Sequence, residues 1–338
     1  MTVRVGIVGV SGYTGVELFR ILRGHPHATI TALAAGRAAG QPLDAIWSGL
    51  EGIDAPPVES VDPDALAARC DAVMLALPHG VSGSLVPGLL ERGLRVIDLG
   101  ADFRLRDPAV YAAAYGAPHP APALLAEAVY GLPELNREAI RGARLVANPG
   151  CYPTATTLAA APMVRAGLAD RIVASCLSGV SGAGRKPGAK NLYCEVQESV
   201  SAYKIAGSHR HTPEMEQTLG VPVTFTPHLV PMRRGMLATV FAAATRETDA
   251  AALRALYAEA YADEPLVSVV DTPPGSAAVR GTARAQVHVA FDAARGMITV
   301  VSVIDNLGKG AASQAVHNLN LAAGLPETAG LPLLPLLP

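Results

Sequence analysis

Cysteine is scarce in this 338-residue chain. The four that occur, Cys70, Cys151, Cys176 and Cys194, are too few and too scattered to staple a chain this long, and no two form a Cys-x-x-Cys pair. That excludes a disulfide scaffold and argues against a structural zinc site. Excess positive charge is missing as well: the formal net charge is −2, and no basic run is interleaved with aromatics, so a nucleic-acid partner is not expected. No uninterrupted apolar run reaches the roughly 18 residues of a membrane span. The chain opens directly into Val3-Arg4-Val5-Gly6-Ile7-Val8 and not into a secretory signal, so the expected setting is cytoplasmic, without a membrane partner. Aromatics at 4% and charged residues at 17% leave an ordinary globular core of Ala, Val and Leu.

What is present divides into two halves, as roughly 150 residues per domain would have it. Strand patterns at 3–9, 28–34, 71–77, 95–99 and 144–147 alternate with helical spacing at 15–24, 63–69 and 81–92. Such alternation predicts an α/β, doubly wound parallel sheet. After a helix at 152–167, strand patterns prevail at 172–178, 223–230, 237–244, 266–270, 285–291 and 297–304, with one helix at 249–262. A mixed sheet in an α+β domain is the better expectation there. The predicted domains are 1–150, completed by 309–338, and 151–308; 309–323 is a helix returning to the first domain, followed by an extended, partly buried Leu/Pro tail.

The first strand runs into Gly9-Val10-Ser11-Gly12-Tyr13-Thr14-Gly15, a Gly-x-x-Gly-x-x-Gly turn that leads into a helix. At the head of an α/β pattern, three such glycines permit a tight turn, close backbone approach to a pyrophosphate, and close helix packing. The second strand ends without the Asp or Glu that would hold an NAD ribose and offers Arg37, whose guanidinium suits a 2′-phosphate. NADP is therefore expected; a solvated surface arginine is the competing reading.

Cys151 follows Asn148-Pro149-Gly150 and opens a helical stretch. A helix N-terminus favours the thiolate, the nucleophilic form, whereas the bland reading is a buried structural cysteine. Next to a nicotinamide site, such a thiolate suits attack on an activated acyl group, followed by reduction of the thioester to an aldehyde. His209 and His211, flanking Arg210 ahead of Thr212-Pro213-Glu214, are the candidates for proton transfer. His-x-His can also mark a metal, but no third and fourth ligands accompany it. The glycine-rich loop from Ser178 to Lys186 offers N–H groups and cations to an anionic substrate, and Arg104, Arg185, Lys186, Arg210, Arg233 and Arg234 form the cation pool, with Arg185 the first choice.

These segments, with Leu77-Pro78-His79-Gly80, Gly100-Ala101-Asp102-Phe103-Arg104-Leu105, Tyr130-Gly131-Leu132-Pro133-Glu134 and Ile304-Asp305-Asn306-Leu307, occur in order along the whole chain. Together they resemble the N-acetyl-gamma-glutamyl-phosphate reductase family of the aspartate-semialdehyde dehydrogenase superfamily. The resemblance implies an N-terminal Rossmann domain and a C-terminal catalytic and oligomerisation domain. It implies NADPH-dependent reduction of N-acetyl-glutamyl 5-phosphate to the 5-semialdehyde in arginine biosynthesis, by a homo-oligomer (tetramer or dimer). Carried onto this chain, Cys151 is the nucleophile, His209 the acid/base and His211 an orienting or substrate-binding partner. Cofactor contacts are implied for Gly9, Ser11, Gly12, Tyr13, Thr14, Gly15, Arg37, Pro78, Ser181, Gly182 and Asn306, and substrate contacts for Arg104, Ser178, Arg185, Arg210 and Glu214. The rival readings are a reductase of carrier-protein-linked aminoadipyl phosphate, an enzyme for another acyl phosphate such as aspartyl phosphate, and a non-catalytic NADP(H) sensor.

Overall fold

The computed structural model describes residues 2–186 and 188–337; Met1, Pro187 and Pro338, the last residue of the expected tail, lie outside the described residues. Two compact units emerge: one runs to Pro149 and takes up Ala311–Leu331, the other comprises Gly150–Gly310 and the tail from Pro332 on.

In the first unit, β1 (Val3–Val8), β2 (Ala28–Ala34), β3 (Val58–Glu59), β4 (Ala72–Leu75), β5 (Arg95–Asp98), β6 (Val129–Tyr130) and β7 (Leu145–Ala147) pair in parallel throughout. Their order is β3-β2-β1-β4-β5-β7-β6. The connecting helices are α1 (Tyr13–Leu22), α2 (Leu43–Ile46), α3 (Pro63–Arg69), α4 (Ser82–Glu91), α5 (Pro108–Tyr115) and α6 (Pro133–Ile140). Every residue of β4 is fully buried, which is why it reads as an unbroken apolar run and not as an alternation. The strand order reverses between β1 and β4, and ligands of doubly wound sheets bind at that switch, beyond the carboxyl ends of the strands.

In the second unit, α7 (Cys151–Arg165), α8 (Tyr193–Val196), α9 (Thr212–Leu219) and α10 (Ala250–Ala260) accompany β8 (Ile172–Gly179), β9 (Ser201–Ala202), β10 (Val223–Val230), β11 (Met236–Ala243), β12 (Val267–Val269), β13 (Ala285–Asp292) and β14 (Met297–Ile304). The sheet is mixed, in order β12-β13-β14-β11-β8-β10-β9, with β8 parallel to β10 and antiparallel to β11. One face is buried against α7: Ala155, Leu158 and Ala159 pack in one core with Ala174, Phe225 and Val240. The other face, with Leu177, Leu237, Thr239, Phe241 and Val301, is half-buried.

The last helix, α11 (Ser313–Ala322), belongs to the first unit and is buried along its whole length despite its polar residues. Those residues are tied down: Asn318 Nδ2 donates to the Gly131 carbonyl at 2.8 Å and to Asn148 Oδ1 at 3.0 Å, and His317 Nε2 meets Glu327 Oε1 at 2.7 Å. The tail departs from expectation. Residues 332–337 lie in the second unit because their backbone pairs with residues 280–283 there.

Candidate active site

The chain enters α7 through Gly150, an extended N-cap (φ −68°, ψ 152°) with no side chain capping the first turn. Cys151 is thereby the first helical residue, at the positive end of the helix. Its thiol is part-exposed. Burial pushes the Cys70 thiol up and that of Cys176 up to about 12, while Cys194 is exposed on short α8. Pro153 falls in the first turn, where no N–H is required.

Glu214 holds the turn before Cys151. It is 1% exposed, and its Oε1 accepts the Gly150 N–H at 2.8 Å. Expected among the substrate contacts, it lies against the residue before Cys151 and ties α9 to the N-cap of α7. On the other side Gly310 comes so close that a Cβ there would lie 2.8 Å from Cys151 Cβ.

His209 and His211 precede α9 with ring centroids 4.7 Å apart, and both pack edge-on against Tyr152, at 5.7 and 6.0 Å. Phe225 and Tyr203 complete an aromatic cage around His209, which is 8% exposed. Burial, with repulsion from Lys204 and Arg210, pushes the His209 imidazole down to about 4, so it is neutral at pH 7. Its Nδ1 accepts the backbone N–H of His211 at 3.1 Å, which assigns the ring proton to Nε2. Tyr152 and Tyr203 hydroxyls meet at 2.9 Å, and burial raises both phenols, Tyr203 to about 12.

Ser178, Ser181, Gly182 and Asn306 are brought together at the carboxyl end of β8. Ser178 is buried, and its hydroxyl donates to the Gly179 carbonyl at 3.2 Å; a Cβ on Gly182 would lie 3.1 Å from that Oγ. Asn306 Nδ2 donates to Ser181 Oγ at 2.9 Å, and its Oδ1 accepts the Gly235 N–H at 2.8 Å. Sequence reading placed Asp305 in a motif but gave it no role in this arrangement. Asp305, 0% exposed, accepts from Arg234 Nε at 3.0 Å and from the N–H groups of Gly281, Leu307 and Gly308. Arg234 is thus engaged structurally, whereas Arg185, Lys186 and Arg233 are exposed and Arg210 half-exposed.

The first unit carries the other predicted residues. Gly9 adopts φ +98°, and a Cβ on it would lie 2.3 Å from the Ala76 carbonyl, at the β1/β4 switch. Gly15 sits equally close to Gly9, and α1 begins at Tyr13 after the N-cap Gly12, with no side-chain cap. Ser11 and Thr14 are half-buried in the same turn, and Pro78 is exposed in the β4–α4 connection. These residues fit a dinucleotide, because the uncapped N–H groups and the Cβ-free turn suit a pyrophosphate. Arg37 is exposed beyond the end of β2 and makes no ion pair among the described residues. Arg104 is 8% exposed; its Nε and Nη2 donate to the carbonyls of Asn148 and Leu99 at 2.8 and 2.9 Å, bracing the strand ends of the first unit.

Residues 4–143 match the semialdehyde dehydrogenase NAD binding domain and residues 151–306 the semialdehyde dehydrogenase dimerisation domain. The N-acetyl-gamma-glutamyl-phosphate reductase of Alkalilimnicola ehrlichii is 51% identical, with 97% of this chain and 98% of that protein covered. Those of Symbiobacterium thermophilum and Geobacter metallireducens are 50% and 47% identical, covering 98% and 99% of both chains. Among solved structures, aspartate semialdehyde dehydrogenase II of Vibrio cholerae shares the fold at TM-score 0.72 and 18% identity, over 96% of this chain and 99% of that one. The Candida albicans aspartate semialdehyde dehydrogenase solved with NADP does so at 0.71 and 16%, over the same shares. The chain belongs to the N-acetyl-gamma-glutamyl-phosphate reductase family.

Proposed function

We propose that this protein reduces N-acetyl-glutamyl 5-phosphate to N-acetyl-glutamate 5-semialdehyde with release of phosphate, using NADPH. The observation that carries this reading is a part-exposed cysteine at the first position of α7, with its N-cap held by Glu214 and two histidine rings packed on the neighbouring Tyr152. Cys151 thiolate attacks the acyl carbon, a C–S bond forms, and the C–O bond to phosphate breaks. The departing phosphate takes up a proton; because His209, the expected acid/base, is neutral at pH 7, that donor role passes to its neighbour His211. Neutral His209 donates a hydrogen bond from Nε2 to the acyl oxygen as charge develops on it, the task for which a buried, uncharged imidazole is suited. Bound NADPH supplies the hydride that converts the thioester carbon to the aldehyde level. Collapse then breaks the C–S bond and returns the thiolate.

Gly9, Gly12 and Gly15 with the head of α1 hold the pyrophosphate, and Arg37 takes the 2′-phosphate, with kcat/KM for NADPH above that for NADH as the expected readout. Ser178, Ser181, Gly182 and Asn306 line the carboxyl end of β8 for cofactor and substrate, and Arg185 and Arg210 are the cations for the substrate's phosphate and carboxylate. The setting is cytoplasmic; no helix among the described residues is long and apolar enough to cross a membrane. Intact-mass measurement tests the thioester. With NADPH withheld, the acyl phosphate is expected to add one N-acetyl-glutamyl group to wild-type protein and none to Cys151→Ala; equal labelling of both sinks the reading.

A further inference from the structure

We propose that segment 332–337 is a positioning element of this active site, a clasp that sets Cys151 and Asn306 through their neighbours; this rests on the roles given to those two residues above. The segment lies along residues 280–283 as an added strand would. Ala283 N–H donates to the Pro332 carbonyl and Leu336 N–H to the Arg280 carbonyl, each at 2.8 Å. Arg280 returns the contact, its Nε and Nη2 donating to the Leu336 carbonyl at 3.1 and 2.6 Å. Between these bonds Gly281 (φ +78°) leaves so little room that a Cβ would lie 2.7 Å from Leu336.

The gripped stretch leads directly to the site. Gly281 N–H donates to Asp305 Oδ2 at 2.5 Å, and Gly308 backs onto the Thr282 carbonyl, where a Cβ would lie 2.2 Å away. Gly310 N–H donates to the Asp305 carbonyl at 2.9 Å, and Gly310 abuts Cys151. Asn306 lies within the same turn. Leu336 is therefore linked to Cys151 through four successive close contacts, by way of Gly281, Asp305 and Gly310. Burial does not account for the segment, since Leu334, Leu336 and Leu337 are 85%, 56% and 72% exposed. Directed hydrogen bonds hold it, and directed hydrogen bonds fix positions.

The test uses the full chain, a version ending at Leu331, and Arg280→Ala in each, all in a Cys194→Ser background so that Cys151 is the exposed thiol. Truncation is expected to lower kcat of phosphate-dependent turnover by roughly ten- to a hundredfold, the scale of a small misplacement of reacting groups, while the melting midpoint moves by only a few degrees. Arg280→Ala should cost severalfold in the full chain and nothing further in the truncated one, because both changes break one linkage. The rate of Cys151 alkylation by iodoacetamide should change in parallel. Unchanged kcat, KM and alkylation in the truncated protein, or two independent and multiplying losses, would overturn the proposal. If truncation prevents folding, Arg280→Ala alone decides: lowered kcat with an unchanged melting midpoint supports the clasp, and unchanged kcat removes it. A full chain without any turnover contradicts the functional reading instead, and alkylation still tests the clasp.

Discussion

At Cys151 and His209 the neighbouring residues set the chemistry. Glu214 shows how far sequence alone reaches: its place after His-Arg-His-Thr-Pro marked it as part of the site, but its grip on the Gly150 N–H is visible only in three dimensions. Asp305 was invisible as an organiser, because its partners Gly281 and Arg234 lie 24 and 71 residues away. His209 yields a pH prediction. An unfolded histidine titrates near 6.5, and the folded one at about 4, so between these values only the unfolded chain binds the proton. The stability from this group is full above pH 6.5 and is lost as pH falls toward 4, by a few kcal/mol at most. Urea midpoints measured at pH 7 and pH 5 should fall less in His209→Asn than in wild type. An NMR titration midpoint for His209 near 6.5 would contradict the burial argument.

Among the elements, α7 carries an internal proline that its neighbours compensate. Pro162 has no N–H for the Leu158 carbonyl four residues back, and Tyr261 hydroxyl from the segment after α10 donates to that carbonyl at 2.5 Å. Tyr257 does the same for Ala159, also at 2.5 Å. Tyr261→Phe leaves a buried carbonyl without its donor, and the expected loss is about 1–3 kcal/mol in urea unfolding, with kcat at low temperature near that of wild type; an unchanged midpoint would show that the proline needs no such partner. Periodicity was enough to find α7 and the longer strands within a residue or two. It could not find β3, β6 and β9, which are two residues long and carry no period, nor α5, whose apolar residues give no clean stripe, nor α6, eight residues long and interrupted by the non-helical Asn136. The end of the tail was misplaced for a related reason: proline spacing ruled out a helix, but backbone pairing with residues 280–283 depends on a partner remote in sequence.

For the molecule as a whole, two units of different sheet type carry the glycine turn at 9–15 and the helix that Cys151 opens, one in each. The half-buried face of the second sheet, with Leu177, Leu237, Phe241 and Val301, is the surface on which a second copy of the chain is expected to dock. Sedimentation should show an oligomer for wild type and a smaller species for Phe241→Glu; a wild-type monomer would refute this assembly. The most direct trial of the whole scheme runs the reaction backwards. N-acetyl-glutamate 5-semialdehyde, NADP⁺ and inorganic phosphate are mixed with wild-type and Cys151→Ser protein, and absorbance of the reduced cofactor is followed. Phosphate-dependent NADPH formation in the wild type, abolished in Cys151→Ser, is the expected result. Turnover that persists without the thiol, or that ignores phosphate, would contradict a thioester mechanism on an acyl phosphate.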